Sequence, residues 1–279
     1  MRRIPFPAAL LAVLPALLWQ AAPAAAESDA QWVAGAADAS RHAGLTVHRE
    51  VRSESLPKPK GALVVECGSA CGAEVRGRDV DRVSVVARVE TQAGSRVEAE
   101  ALAREVRVVA AGGEVHAEGP AQRHGWRWTV QFRIEVPRRT DLSLAAENGP
   151  VAVTGVQGSL RIEALNGPVA LEGLNGDVVA RVKNGPLAVR LSGPRWEGKG
   201  LDAEATNGPV SLKLPPDYSA RLEFGTVNGP QVARVALARA TRSGRGQRVS
   251  VVLGQGGPTV RVVGVNGPAI LAGLGEEAE

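Results

Sequence analysis

The two cysteines of the chain, Cys67 and Cys71, have the most obvious redox chemistry. Three residues separate them, whereas two separate a thioredoxin-type pair, and the sequence has no second cysteine pair or close histidine pair to complete a zinc site. In an oxidising compartment, cysteines this close normally form a disulfide that closes a short loop. We therefore predict a structural disulfide, with a redox pair or half of a metal site as the alternatives.

Carboxylates are the next candidates for chemistry, because a glycoside hydrolase needs only two of them. Glu163 with Glu172 or Glu204 could supply such a pair. A polysaccharide-cleaving enzyme of the β-helix type would instead gather several aspartates around calcium, yet the aspartates after residue 140 are widely spread, at Asp141, Asp177, Asp202 and Asp217. The histidines all precede the second half of the chain and no Gly-x-Ser-x-Gly motif occurs. We predict no catalytic site, metal or cofactor.

A repeated Asn-Gly-Pro triplet dominates the second half of the chain. It begins at Asn148, Asn166, Asn184, Asn207, Asn228 and Asn266. The first intervals are 18 and 18 residues and the next are 23 and 21 residues, each with a second turn near its middle. Asn and Gly tolerate positive φ and Pro fixes φ, so each triplet predicts a sharp turn. Each interval therefore holds two short strands, which is typical of a repeat architecture.

The strands that follow these turns share one pattern. Their first and third residues are apolar and the middle residue is small, as in Val151-Ala152-Val153 and Val169-Ala170-Leu171. The apolar residues share one face that a single coil cannot bury, so coils must stack. We predict an all-β fold, a parallel β-helix or β-solenoid. Its small outward residues form a candidate binding face of Ala152, Ala170, Ala188 and Ser211.

Two further patterns bear on the surface and on the first half of the chain. Glu163, Arg181 and Glu204 fall in one outward column of the repeats, where opposite charges would be neighbours. Before the repeats, residues 83–89 and 126–136 alternate with period two, as half-buried strands do. Trp126 and Trp128 share the apolar face of the second of these strands, so we expect core packing, with a sugar platform as the alternative. Residues 96–107 carry the pattern of a short helix.

The N-terminus has the features of an export signal. Arg2 and Arg3 precede an apolar run that ends in small residues near Ala26, so we predict a signal peptide cleaved there, with a membrane anchor as the alternative. Cleavage removes two of the 33 basic residues and none of the 29 acidic ones, so the net charge becomes 31 − 29 = +2. That balance gives no electrostatic case for nucleic-acid binding. We expect an exported chain, periplasmic or extracellular, without a membrane span after cleavage.

Several motifs resemble those of the bacterial "putative adhesin" family of unknown function, which is recognised by repeated Asn-Gly turns and a predicted β-helix. The similar segments are residues 132–137, 141–142, 148–151, 200–204 and 207–210. The resemblance covers about residues 62–273 and implies an exported β-solenoid. The chain departs from the family pattern in the Pro that follows most Asn-Gly turns, and in Cys67 to Cys71, which stand where an Asn-Gly turn is common.

These observations give one expected organisation and function. We expect a signal peptide (1–26), a leader or linker (27–60), a β-rich N-terminal part with one short helix (61–140), the Asn-Gly-Pro repeat β-solenoid (141–274) and an acidic tail (275–279). The function expected is a non-enzymatic, adhesin-like or scaffold protein whose flat face binds an unidentified glycan or protein of the cell envelope. A carbohydrate-active β-helix enzyme is the alternative.

Overall fold

The computed structural model describes residues 44–234, 241–242 and 247–274, so the predicted signal peptide and acidic tail lie outside the described residues. Within these ranges the chain is mostly β-strand, with one helix, α1 (Arg96–Glu105). The all-β class and the short helix are confirmed. The helix is too short and polar to cross a membrane, and no other helix that could do so lies in the described part of the chain.

The strands before the repeats are β1 (Thr46–Pro57), β2 (Leu63–Cys67), β3 (Cys71–Arg78), β4 (Arg82–Ala93), β5 (Arg107–Ala111), β6 (Glu114–Glu118) and β7 (Arg127–Pro137). The strands of the repeats are β8 (Leu142–Asn148), β9 (Val151–Thr154), β10 (Gln157–Asn166), β11 (Val169–Glu172), β12 (Asn175–Asn184), β13 (Leu187–Arg190), β14 (Gly200–Asn207), β15 (Val210–Leu214), β16 (Ala220–Asn228), β17 (Gln231–Ala233), β18 (Thr241–Arg242), β19 (Gln247–Leu253), β20 (Thr259–Asn266) and β21 (Ala269–Gly273).

The strands form two large mixed sheets. Sheet A has the order β1-β4-β7-β3-β9-β11-β13-β15-β21-β17, and sheet B has the order β18-β19-β16-β20-β14-β12-β10-β8-β2-β6-β5. From β8 to β17 the chain alternates between sheet B and sheet A, and from β8 to β15 each strand lies parallel to its equivalent in the next repeat. We call each such pair of consecutive strands a rung. Alternate residues of every rung, such as Leu160 and Ile162 in β10 and Leu171 in β11, are buried between the sheets, as the period-two pattern requires.

The Asn-Gly-Pro turns lie above one another along the corner where the chain passes from sheet B to sheet A. The Asn side chains form a continuous ladder in which each Nδ2 donates to the Oδ1 of the neighbouring Asn at 2.9 Å. All turn glycines except Gly229 supply the positive φ, 135° at Gly167 for example, whereas Asp217 is the one described non-glycine residue with positive φ. None of the six turn asparagines has positive φ. Asn therefore contributes hydrogen bonds between rungs, and Gly makes the turn.

The order of the rungs differs from the order of the sequence. The last rung, β20 and β21, lies between the rung β14–β15 and the rung β16–β17, and is parallel to both. The Asn ladder follows this order, since Asn266 donates to Asn207 and accepts from Asn228. The connection from β19 to β20 passes over the beginning of β16, where the Gln255 N–H donates to the Ser219 Oγ at 3.2 Å.

The strands before the repeats extend the same two sheets. Strands β2 and β3 pair with β8 and β9, while β4 and β7 add antiparallel strands to sheet A. Helix α1 begins with a capping box of Ser95 and Glu98 and buries Ala99 and Leu102 against β4 and β1. Residues 46–57, which we expected to belong to a leader or linker, form β1 and pair with β4. Most of its side chains remain partly exposed, which explains the absence of an apolar alternation in the sequence.

The predicted disulfide between Cys67 and Cys71 is confirmed. It joins the end of β2 to the beginning of β3, the position that an Asn-Gly turn occupies in the later rungs. A Cβ added to Gly149 would lie 2.2 Å from the carbonyl oxygen of Cys71, just as one added to Gly167 would lie 2.3 Å from that of Gly149. The disulfide therefore takes the place of a turn where β2 leads into β3.

Removing one amide from the interior of the Asn ladder should cost more than removing one from its end. Asn166→Ala deletes the bonds to Asn148 and from Asn184, whereas Asn148→Ala deletes one inter-asparagine bond. At about 0.5–1 kcal/mol for each bond, we expect the free energy of unfolding to fall by about 1–2 kcal/mol for Asn166→Ala and by about half of that for Asn148→Ala. Equilibrium urea unfolding measures both values, and equal losses would contradict the ladder's contribution.

A chain that ends at Gly257 should lose structure in a defined region. Without β20, strands β14 and β16 lose the partner that lies between them, and the buried Leu222 and Phe224 lose neighbours. We expect hydrogen exchange, followed by mass spectrometry, to become fast in β16 and β19 while β8 to β12 stay protected. Retained protection of β16 would show that the inserted rung is dispensable, and loss of protection throughout would show that the rungs do not fold independently of it.

Candidate functional site

The four residues predicted as a binding face lie side by side on the outer face of sheet A. Ala152, Ala170, Ala188 and Ser211 are partners in the parallel registers of β9, β11, β13 and β15. The same column continues through Ile270 of β21 and Val232 of β17, which are 37% and 45% exposed. We call these six residues the strip. At one end of the strip the side chains are small alanines, and at the other end they are larger and more apolar.

A column of prolines runs beside the strip. Each one immediately precedes a strand of sheet A and continues its ladder, because its carbonyl accepts from the backbone N–H that begins the neighbouring strand, as Pro168 does from Val151 at 2.9 Å. The members are Pro150, Pro168, Pro186, Pro209, Pro268 and Pro230. On the other side the strip is bordered by the column of Thr154, Glu172, Arg190 and Lys213. The result is an apolar band with one polar border.

The outer face of sheet B is charged instead of apolar. Glu163, Arg181 and Glu204 are register partners, so the predicted column of alternating charge is present. The ion pairs, however, run mainly to the adjacent column. Arg181 pairs with Asp202, and Arg261 pairs with both Asp202 and Glu204, the latter at 2.8 Å. Long arginine side chains can reach a carboxylate directly opposite on the next strand or one that is offset by two residues, so the strand register alone does not determine which carboxylate they pair with.

The carboxylates considered for hydrolysis are not assembled as a pair. Glu172 lies on the outer face of sheet A and Glu163 on that of sheet B, with the core between them. Glu163 and Glu204 share a face, but Arg181 lies between them in the register. The groove above these residues has a volume of about 660 Å³ and is also lined by Glu66, Glu147 and Lys183. No group of three metal-ligating side chains is found in the described ranges.

Burial alone would raise the pKa of Asp202, but the hydrogen bonds from Arg181 and Arg261 outweigh it and hold the pKa below its usual value. Both arginines donate to this one carboxylate, from β12 on one side and from β20 on the other. The charge on Asp202 therefore joins rungs that are distant in sequence, and it serves stability instead of acid–base chemistry.

The two tryptophans proposed as an alternative sugar platform both contact the segment between β6 and β7. The guanidinium of Arg123 lies 4.3 Å from the centre of the Trp126 ring. The Trp128 Nε1–H donates to the carbonyl of Pro120 at 2.9 Å, and its ring packs against the core. The expectation of core packing therefore holds for Trp128, whereas Trp126 stacks with an arginine.

Comparison with known proteins gives a structural likeness only. No family model and no curated protein matches the chain. The solved structures that resemble it include a "putative cell adhesion protein" from Clostridium sporogenes, with 12% identity over 81% of this chain and 99% of the other and a TM-score of 0.41. A "putative lipid binding protein" from Parabacteroides distasonis has 10% identity, coverage of 81% and 97%, and a TM-score of 0.33. A "putative adhesin" from Bacteroides fragilis has 8% identity, the same coverage and a TM-score of 0.25. We draw no functional conclusion from likenesses at these identities and scores.

The ion pairs of Asp202 should make stability depend on pH in the acid range. Because its pKa is lower in the folded chain than in the unfolded one, ionised Asp202 stabilises the fold above the ordinary aspartate pKa of 3.8, and this contribution disappears as the pH falls through the lowered value. We expect Asp202→Asn to reduce the melting temperature at pH 7 and to approach the wild type as the pH falls below 3.8. Thermal unfolding followed by circular dichroism measures the difference, and a gap independent of pH would rule out this origin.

Proposed function

We propose that this chain is an exported, non-enzymatic β-solenoid that binds a protein or glycan partner of the cell envelope through the strip. The observation that carries the proposal is the continuity of the strip, which keeps one outward position of sheet A small or apolar from Ala152 to Val232 through six rungs. Charged residues occupy the corresponding outer face of sheet B. Solvent exposure alone does not require one sheet to be apolar and the other charged, so the difference supports a binding role for the apolar face.

The alternation of the strands supports the solenoid assignment. From β8 onward each rung contributes one strand to each sheet, and each rung repeats in register with its neighbours. The Asn ladder adds a hydrogen-bonded side chain at the same corner of every rung. Stacking of this kind is how a repeat protein buries a face that one repeat cannot bury by itself. The signal-peptide pattern at the N-terminus supports export.

The shape of the strip suits an extended or planar partner. Alanine and proline side chains leave a flat surface, along which successive strip residues recur at the strand spacing of about 4.8 Å. A partner that covers this surface removes apolar area from water, which is favourable by about 25 cal/mol for each Å². The hydrolase alternative finds less support, because an inverting enzyme needs space for water and sugar between its carboxylates, and Arg181 lies between Glu163 and Glu204.

A charge placed in the middle of the strip tests the proposal. Ala170 is exposed in β11, and Ala145 is also an exposed alanine, on the outer face of β8 in sheet B, so Ala145→Arg is a matched control for Ala170→Arg. We expect Ala170→Arg to weaken retention of the purified chain on envelope fractions of the producing bacterium by about tenfold or more, because the long charged side chain would interrupt the flat surface and would lose its water of hydration under a bound partner.

The control should be retained like the wild type, and both variants should keep the wild-type melting temperature. Photocrosslinking from position 170 then identifies the partner as protein or glycan. Equal retention of both variants, or no retention of the wild type, would refute binding through the strip.

A further inference from the structure

A second surface lies at the opposite corner of the rungs, where the chain passes from sheet A back to sheet B. Here five connections meet: those from β1 to β2, β7 to β8, β9 to β10, β11 to β12 and β13 to β14. Together with the first residues of β10 and β12 they line an open cavity of about 510 Å³, within the usual size range of small-ligand sites. The strip and the Asn-Gly-Pro corner contribute no residue to it.

The floor of this cavity is kept free of side chains by the packing of the rungs. A Cβ added to Gly158 would lie 2.6 Å from the carbonyl oxygen of Thr140, and one added to Gly176 would lie 2.1 Å from that of Gly158. Thr140 is itself buried, and its Oγ1 donates to the carbonyl of Pro137 at 2.6 Å. Close stacking therefore excludes any larger residue from the floor, so the depression is a fixed part of the architecture.

Three cationic side chains line the cavity: Lys58, Lys60 and Arg139. None of them forms an ion pair with any residue in the described ranges, although such pairs are common elsewhere in the chain. Arg138 shows the contrast, because it donates to both carboxylate oxygens of Asp79, at 2.8 and 3.3 Å. Pro57 and Pro59 surround Lys58 and restrict the backbone around it to extended conformations, which reduces the entropy lost when these lysines hold a ligand.

The remaining polar residues of the cavity offer hydrogen-bonding groups. The Asp141 Oδ1 already accepts from the Ser159 N–H at 2.7 Å, and the Asn175 Oδ1 accepts from the Glu197 N–H at 3.0 Å. These bonds hold the connections in place and leave further amide and carboxylate atoms, with those of Gln157, for a ligand. Cations suit a carboxylate, while amide and carboxylate groups suit sugar hydroxyls.

We propose that this cavity binds an acidic oligosaccharide, whose carboxylates are held by Lys58, Lys60 and Arg139. Its hydroxyl groups meet Gln157, Asp141 and Glu197. This site is separate from the strip, so it adds a second recognition surface to the molecule and does not depend on the function proposed above. The anionic group, and not the sugar ring, provides most of the affinity, because aromatic side chains are absent from the cavity lining.

Isothermal titration calorimetry of the chain without its signal peptide tests the proposal with three probes: tetragalacturonate, its methyl ester, which has the same shape without the charges, and inorganic phosphate. We expect tetragalacturonate to bind and its ester to bind much more weakly. Arg139→Gln should weaken binding of tetragalacturonate by about tenfold, and the triple change Lys58→Gln, Lys60→Gln and Arg139→Gln should abolish it.

Lys183→Gln is the matched control, because it removes the same charge from the groove on sheet B. It should leave binding unchanged, and so should Ala170→Arg, which keeps this test independent of the strip. If Lys183→Gln weakened the binding of tetragalacturonate as much as Arg139→Gln does, the affinity would come from general charge attraction, and the proposed site would be wrong. Equal binding of the ester, no binding of tetragalacturonate, or phosphate binding as tight as that of tetragalacturonate would each overturn the assignment to an acidic oligosaccharide.

Discussion

The contact between turn glycines of successive rungs is the constraint on which the rest of the structure depends. A Cβ added to Gly185 would lie 2.1 Å from the carbonyl oxygen of Gly167, and the same relation recurs at the other Asn-Gly-Pro turns. At this corner the rungs can therefore approach to the spacing of a β-ladder only because glycine is present. The Asn side chains then bond to each other at 2.9 Å, and a shift by one residue would break every one of these contacts and turn the apolar residues outward.

A fixed register converts single residues into columns. One small or apolar residue from each successive strand of sheet A forms the strip, and one proline from each turn forms the column of prolines beside it. On sheet B the same register places Glu163, Arg181 and Glu204 in one column. At the second corner it stacks glycines into the floor of a cavity. The two faces and the corner can thus differ in chemistry although every rung has the same path, which gives a simple repeat more than one kind of surface.

Because of the position of the last rung, the order of stacking at this end of the molecule differs from the order in the middle. The rungs β8–β9, β10–β11, β12–β13 and β14–β15 stack in the order of the sequence, whereas β16–β17 is separated from β14–β15 by β20–β21. Long-range pairing of this kind is slow to form compared with pairing between consecutive rungs. At the other end, α1, the disulfide and the antiparallel strands β4 and β7 cover the core, so that neither end repeats the plain rung.

The sequence by itself determined the all-β class, the turn positions, the disulfide, the short helix and the small column that begins at Ala152, because each depends on a local pattern or on residues close in the chain. The tertiary structure decided which rungs are neighbours, since Asn228 and Asn266 carry the same triplet and nothing local distinguishes their partners. It also decided the pairing of β1, the ion pairs of Asp202 and the convergence of Lys58, Lys60 and Arg139 on one cavity. These features join residues far apart in sequence, and periodicity shows which face of a strand is buried but not which strand lies beside it.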